Sequence, residues 1–287
     1  MLLSLILLLT MILTVGLISL GGFVHNKGAS LACPDWPLCF GKVLPVMEGL
    51  VAIEHSHRLL ATLVGILCIL LVFLSRKTKI LKLSYLALGL VIFQGILGGL
   101  TVIYKLPPLI STLHLGTSMI FLACLLLMWR KLHPLKITAD EASKKFTKIL
   151  NLTTVFIFIQ IVWGAFMRHL GAGSACGLGK EAMIKCLDLN DSASFWPTDP
   201  WGLFHMGHRY FALIVFLHII LTLRRSMKLT GPSSKLIKQF SLMQISTCLV
   251  QIILGMLVVY SAISPISTTL HLFLASVIWS TAILSRS

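Results

Sequence analysis

Charged residues are scarce in this chain, and acidic residues are the scarcest of them. Only 11% of the 287 residues are charged, with 9 Asp and Glu against 24 Lys and Arg, whereas 57% are hydrophobic. A soluble domain of this length needs more charge on its surface, so the composition excludes that class of protein. Apolar runs of about 20 residues instead predict transmembrane helices, whose backbones satisfy their own hydrogen bonds in lipid.

Eight apolar runs predict an all-α integral membrane protein with eight transmembrane helices. The runs cover 2–24, 51–74, 81–104, 109–130, 147–168, 203–224, 236–260 and 265–285. The first run lacks a basic start and a small-residue cleavage site, so we interpret it as a true helix and not as a signal peptide. No central proline breaks any of the runs.

Basic residues cluster in alternate loops, and this pattern predicts the orientation. The segments 75–82, 130–148 and 224–238 are rich in Lys and Arg, whereas 25–50 and 169–202 are nearly neutral or acidic. By the positive-inside rule the basic segments are cytoplasmic. We therefore predict a multi-pass protein of the plasma membrane with both termini in the cytoplasm. The net charge of +15 reflects this topology and does not indicate a nucleic-acid partner.

One pattern occurs twice along the chain: a His-Arg pair, a stretch that begins with Gln, and a T-L-H-L motif. Its His and Arg residues are His57, Arg58, His114, His208, Arg209 and His271. Four helices per copy give both copies the same orientation, which predicts a parallel repeat about a pseudo-twofold axis along the membrane normal. We predict two tandem four-helix bundles, 1–130 and 148–287, joined by a cytoplasmic linker, 131–147.

The two histidines of each copy lie at one predicted depth, in the outer third of the membrane. His57 and His114 are about five or six residues from the outer ends of their runs, and His208 and His271 repeat this arrangement. Facing histidines at matched depth are typical of bis-histidine haem ligation. Hydrogen-bonded packing histidines are one alternative. Zinc is another, but two histidines without a convergent Cys or carboxylate in both copies make a poor zinc site.

Arg58 and Arg209 directly follow histidines, and a charge at this depth needs a partner. Haem propionates suit a guanidinium, which binds carboxylates with two hydrogen bonds; lipid phosphate is the alternative partner.

The copies differ one turn before the first histidine, where Glu54 in the first copy corresponds to His205 in the second. Glu54 is the only acidic residue that we place inside the membrane. An intramembrane carboxylate is a candidate functional group, so we expect chemistry at the first site and electron storage or transfer at the second. The alternative is that Glu54 only pairs with Arg58, four residues later.

Cysteines occur in pairs in the two predicted outer loops, as Cys33 and Cys39 in C-P-D-W-P-L-C and as Cys176 and Cys186. These pairs fit an oxidising compartment and predict a disulfide in each loop. A structural staple and a redox role both remain open for the first pair.

These motifs resemble haem A synthase, the membrane enzyme family that oxidises haem O to haem A for terminal oxidases. The resemblance rests on G-x-S-L-A-C-P-D-W-P-L-C, E-x-x-H-R, the two T-L-H-L motifs and the eight helices. It implies that His57 and His114 hold the substrate haem, that His208 and His271 hold a haem b, and that Glu54 is catalytic.

The resemblance also implies the reaction and the partners. The enzyme would be an oxidoreductase that converts a ring methyl of haem O to a formyl group, and contact with haem O synthase would suit so poorly soluble a substrate. The sequence does not specify the membrane electron acceptor. Two alternatives are a di-haem b-type cytochrome that oxidises quinol, which needs no special carboxylate, and a transporter or haem-delivery protein, which favours broken helices.

Overall fold

The computed structural model describes residues 1–187 and 193–286. All eight predicted helices are present, and each is long and apolar enough to cross a membrane, which confirms the all-α membrane class. The helices are α1 (Leu2–Asn26), α2 (Gly49–Ser75), α3 (Leu81–Ile103), α4 (Pro108–Leu132), α5 (Glu141–His169), α6 (Pro200–Ser226), α7 (Ser234–Tyr260) and α8 (Pro265–Leu284).

Helices α1 to α4 form one compact unit, Met1–His133. Each helix packs against the next, and α1 also packs against α4, so the four helices close a ring. Leu67, Leu71 and Met119 are buried inside this unit, whereas Ile66 and Phe73 are among many large apolar side chains that stay exposed. An apolar exterior of this kind suits contact with lipid.

Helices α5 to α8 form the second unit, which begins at Pro134. Its contacts repeat the scheme, because successive helices pack together and α5 packs against α8. The predicted pseudo-twofold axis between the halves, and the assignment of a different haem site to each half, stay predictions.

The predicted linker 131–147 is partly helical, because α5 begins six residues earlier than its apolar run. Asp140 and Ser143 form a capping box: the Ser143 N–H donates to Asp140 Oδ1 at 2.8 Å, and the Asp140 N–H donates to Ser143 Oγ at 3.0 Å. Such a box satisfies N–H groups that a helix start leaves without partners, so it sets where the helix begins. The prediction from hydropathy placed the start of α5 too late because the first turn of the helix is polar.

Two loops carry the paired cysteines, and both predicted disulfides are present. The α1–α2 loop, 27–48, contains Cys33–Cys39, and the α5–α6 loop, 170–199, contains Cys176–Cys186. The second loop also has two short 3-10 turns and a small antiparallel pair of strands, β1 (Cys186–Leu187) and β2 (Ala193–Ser194).

Candidate functional site

Glu54 lies near the start of α2, and its carboxylate is only 3% exposed. Oε2 accepts the N–H of Cys33 at 2.7 Å, and Oε1 accepts a hydrogen bond from Arg58. The pairing with Arg58 that the sequence left as an alternative is therefore present. Both carboxylate oxygens have charged or polar partners, which is what a buried carboxylate requires.

Arg58 directs its remaining donors into the α1–α2 loop. Nη1 donates to the carbonyl of Asp35 at 2.7 Å and to that of Leu38 at 2.5 Å, and Nη2 donates to the carbonyl of Cys33 at 3.3 Å. One side chain on α2 thus binds three carbonyls of a loop that contains a disulfide. Glu54 and Arg58 together fasten this loop to the helix that carries His57.

Arg209 on α6 binds its own loop in a similar way, and none of the carboxylates that the structure describes forms an ion pair with it. It donates to the carbonyl of Ala182 at 2.9 Å and to that of Ile184 at 3.2 Å. His205 occupies the place that Glu54 has in the first unit; it is 4% exposed, and its Nδ1 has no hydrogen-bond partner among the described residues. The difference that the sequence predicted between the two copies is therefore also a difference in buried charge.

The four candidate ligand histidines occupy matched positions in the two units. His57 and His208 come eight residues after the first residue of α2 and α6, and His114 and His271 come six residues after that of α4 and α8. Helices α2, α4 and α6 begin one to three residues earlier than their apolar runs and α8 begins where predicted, so three of the four histidines lie one to three residues further into their helices than predicted. His57 and His114 are close enough for their charges to interact, as are His208 and His271.

A glycine on the neighbouring helix faces each histidine of the first unit. A Cβ added at Gly21 of α1 would lie 2.9 Å from His57 Cε1, and a Cβ added at Gly98 of α3 would lie 3.5 Å from His114 Cε1. The first distance is shorter than real contacts allow, so only glycine leaves room for the ring there.

The second unit repeats this arrangement. A Cβ at Gly164 would lie 2.8 Å from His208 Cε1, and a Cβ at Gly255 would lie 3.3 Å from His271 Cε1. Sequence reasoning missed these glycines as site residues. The signal was available, because the G-G-F-V and G-A-F-M segments and the Q-x-I-L-G stretches recur in the two copies.

The histidines have the free ring nitrogens that a metal ligand needs. Nδ1 of His57, His114 and His271 is buried and has no hydrogen-bond partner among the described residues. A buried polar atom without a partner costs free energy unless a ligand satisfies it. Imidazole pairs of this kind, with glycines beside them, fit an iron porphyrin better than they fit zinc, because neither pair has a third protein ligand among the residues that the structure describes.

Gln160 is a site residue that the sequence did not reveal. Its Nε2 donates to the backbone carbonyl of His208 at 3.1 Å and lies 3.2 Å from both ring nitrogens of that residue. Equal distances indicate that the amide lies against the face of the ring. Gln160 precedes Gly164 by four residues, and Leu17 precedes Gly21 by four, so the first unit has an apolar side chain in the corresponding place.

The α1–α2 loop also reaches α3. The indole of Trp36 packs on Gly99, where an added Cβ would lie 2.8 Å from Trp36 Cδ2. Gly99 adjoins Gly98, which faces His114. The loop therefore covers the end of the first unit that holds its two histidines.

Hydrogen bonds from the loop backbone to Asp35 also shape the α1–α2 loop. The Asp35 carboxylate accepts the N–H of Gly41 at 2.8 Å and that of Phe40 at 2.6 Å. The Gly41 hydrogen bond has the largest effect in lowering the pKa of Asp35 below its usual value, and the Phe40 bond and the charge of Arg58 lower it further.

Comparison with known proteins places the chain in a family. The sequence model described as "COX15-CtaA: Cytochrome oxidase assembly protein" matches residues 4–52 and 46–283. A protein of Lysinibacillus sphaericus named "Heme A synthase" is 29% identical over 280 residues, which are 93% of this chain and 89% of that protein. Another with this name, from Exiguobacterium sp., is 26% identical over 268 residues, covering 89% of this chain and 82% of that protein.

A third similar protein, from Shouchella clausii, is also named "Heme A synthase". It is 34% identical over 167 residues, which cover 54% of this chain and only 56% of that protein. Because the family match extends over nearly the whole chain, this protein is a member of the COX15-CtaA family of cytochrome oxidase assembly proteins.

Proposed function

We propose that this protein is a haem A synthase, a membrane oxidoreductase that converts a ring methyl of haem O to a formyl group for terminal oxidase biogenesis. Family membership and the names of the aligned relatives support this reaction over the di-haem cytochrome. The single observation that carries the proposal is Glu54, a buried carboxylate beside one of two otherwise matched histidine sites. A protein that only transfers electrons would not need that asymmetry.

The second unit would hold the resident haem b. His208 and His271 would be its ligands, since Nδ1 of His271 lacks a partner and Gly164 and Gly255 leave room beside the rings. When bound, a haem supplies one-electron redox chemistry. Gln160 would fix the orientation of the His208 ring through its contacts with the ring and with the backbone carbonyl.

The first unit would hold haem O, the substrate, between His57 and His114. Glu54 can then act in two ways: as a fixed negative charge that stabilises positive charge developing on the substrate, or as a proton acceptor. The first role leaves its bonds to Cys33 and Arg58 intact. The second role puts a proton on a carboxylate whose charge pairs with Arg58 and would weaken that ion pair, so the closed loop favours electrostatic stabilisation.

Arg58 and Arg209 would bind haem propionates by exchanging partners. In the structure Arg209 donates to backbone carbonyls, which are neutral acceptors, and Arg58 donates to backbone carbonyls and to the Glu54 carboxylate. A propionate carries a charge and accepts two hydrogen bonds from one guanidinium, so it competes well against a carbonyl. We propose the plasma membrane as the location, with both termini in the cytoplasm, and haem O synthase as a neighbour that delivers the substrate.

The test is to express the chain in cells that make haem O but lack the final oxidation step, and to extract the haems. We expect haem A or its hydroxylated intermediate. Glu54→Gln should lower product formation by about 100-fold or more, the usual contribution of a group that stabilises charge developing in the transition state, while the absorption spectrum of the second-unit haem stays intact. The matched variant His205→Gln should still make product. Folded, haem-loaded protein that leaves haem O unchanged would refute the proposal.

A further inference from the structure

One buried cluster has no part in the proposed reaction. Cys33, Cys39 and His55 are brought together where the α1–α2 loop meets the start of α2. Their ligand atoms, two sulfurs and a ring nitrogen, all lie within 4.8 Å of one another. Cys33 and Cys39 are 0% exposed and His55 is 3% exposed.

The His55 ring is oriented as a metal ligand would be. Nε2 lies 2.9 Å from the carbonyl oxygen of Val43. A carbonyl can only accept, so Nε2 carries the hydrogen and Nδ1 of the neutral ring has a free lone pair. Nδ1 is buried and has no partner among the described residues. Metal-binding histidines are commonly held by such a bond from the other ring nitrogen to a carbonyl.

We propose that Cys33, Cys39 and His55 form a binding site for Cu(I) when the disulfide is reduced. A dithiol reductant supplies two electrons and two protons: it becomes a disulfide, and the Cys33–Cys39 bond breaks to give two thiols. Binding of Cu(I) releases the two thiol protons, leaving two thiolates and one imidazole on the metal. Soft thiolates favour Cu(I), and a set of three protein ligands suits it better than Zn(II), whose structural sites use four.

The loop keeps this geometry without the disulfide. The Cys33 N–H is bound by Glu54 at 2.7 Å, and the Cys33 carbonyl accepts from Arg58 at 3.3 Å. Cys39 and Lys42 exchange two backbone hydrogen bonds, at 3.0 and 3.1 Å. Because both cysteines are held through their backbones, reduction frees the sulfurs to rotate but leaves them beside His55. This is the preorganisation that a metal site requires.

The second disulfide provides an internal control. Cys176 and Cys186 are equally buried, but Met206 packs against them instead of a histidine. A thioether is also a soft ligand, so this pair can take up copper without any imidazole. Copper bound at the first pair must therefore be identified by its dependence on His55.

The experiment uses the full-length protein, reduced anaerobically with a phosphine, desalted, and titrated with Cu(I) against a chromogenic Cu(I) chelator. In protein whose second pair is removed by Cys176→Ser/Cys186→Ser, we expect the reduced form to bind one Cu(I) that the oxidised form does not, and the further change Cys33→Ser/Cys39→Ser to abolish this binding. On the same background, His55→Ala should weaken the site by more than about 10- to 100-fold, which is the cost of losing even an outer partner of a metal ligand.

Two further measurements keep the proposal falsifiable if His55→Ala does not fold. His55→Gln still offers an amide donor to Val43 but lacks the ring nitrogen, and should weaken Cu(I) binding as His55→Ala does while keeping its helical circular dichroism. X-ray absorption of the copper-loaded Cys176→Ser/Cys186→Ser variant should show two sulfurs and one nitrogen. A copper spectrum without nitrogen, equal Cu(I) affinity with and without His55, or tighter binding of Zn(II) than of Cu(I) would each overturn it.

Discussion

The two four-helix units place their histidines, glycines and arginines alike but surround them differently. In the first unit a buried ion pair, Glu54 and Arg58, fastens a loop over the site. In the second unit Arg209 binds loop carbonyls, and within the described part of the chain no carboxylate forms an ion pair with it. The shared residues are those that a flat cofactor with two axial ligands needs, and the residues that differ are charged or polar.

Under the proposed function, this comparison separates the residues that would hold a haem from those that would act on one. In both units a glycine leaves the space beside each imidazole, so this space is common to the two units and does not distinguish them. Each unit also has a polar contact that the other lacks: Glu54 binds the loop in the first unit, and Gln160 lies against the ring of His208 in the second. Changing either residue therefore tests whether the two units have different functions.

The largest effect should come from breaking the buried ion pair. Arg58→Ala leaves the Glu54 carboxylate buried without its cation, which costs about 3–5 kcal/mol. The matched change Arg209→Ala removes hydrogen bonds to two carbonyls and to Met206 Sδ, and should cost about 1–3 kcal/mol. Thermal unfolding of both variants in one detergent measures this. An equal loss of stability would show that the carboxylate does not distinguish the units.

Replacing the glycines that face the histidines should reduce haem binding, and the reduction should be larger where the added Cβ lies closer to the ring. Gly164→Ala puts a Cβ 2.8 Å from His208 and should displace the ring at a cost of about 1–3 kcal/mol, whereas Gly98→Ala makes an ordinary 3.5 Å contact with His114. We expect Gly164→Ala to lower the haem content of the purified protein several-fold and Gly98→Ala to leave it nearly unchanged. The ratio of haem to protein in each preparation decides this, and equal ratios would contradict it.

A smaller effect should follow from making the second site resemble the first. Gln160→Leu removes a hydrogen bond beside His208 worth about 0.5–1.5 kcal/mol, which corresponds to a change of roughly 20–60 mV in the midpoint potential of the second-unit haem. Leu17→Gln is the reciprocal change in the first unit and should leave that potential alone. A redox titration followed by absorbance measures both, and an unchanged potential in Gln160→Leu would remove Gln160 from the site.

The smallest effect concerns pH and the α1–α2 loop. The pKa of Asp35 is lowered in the folded protein, so its contribution to loop stability is present above the unfolded value of about 3.8 and is lost as the pH falls through the lower, folded value. Hydrogen exchange of the Gly41 and Phe40 amides should therefore stay constant from pH 7 to 5 after correction for intrinsic rates. Asp35→Asn should increase exchange at both amides at neutral pH. Unchanged protection in that variant would contradict the role of the carboxylate.

Sequence patterns predicted the parts of this fold that depend on periodicity and composition. Hydropathy alone located the eight helices, because lipid requires long apolar runs, and the repeat located the histidines at matched depth. The start of α5 was missed because its first turn is polar and depends on the Asp140 cap.

The contacts that define the site were harder to predict, because they join residues distant in sequence. Nothing local indicates that Arg58 reaches the carbonyls of Asp35 and Leu38, or that Gln160 lies against His208. The glycines that face the histidines were partly predictable. The sequence repeat contains them, but only the packing of the helices shows that they lie beside the histidine rings.

The anchorage of the α1–α2 loop has a consequence for how molecules enter and leave the first unit. The loop is held by Glu54 and Arg58, which are also the side chains that a bound haem would engage. A molecule that draws either side chain towards itself must take hydrogen bonds away from Cys33, Asp35 or Leu38. Under the proposed function, occupancy of the site and closure of the loop would compete for the same donors, so filling the site would loosen the loop that covers it.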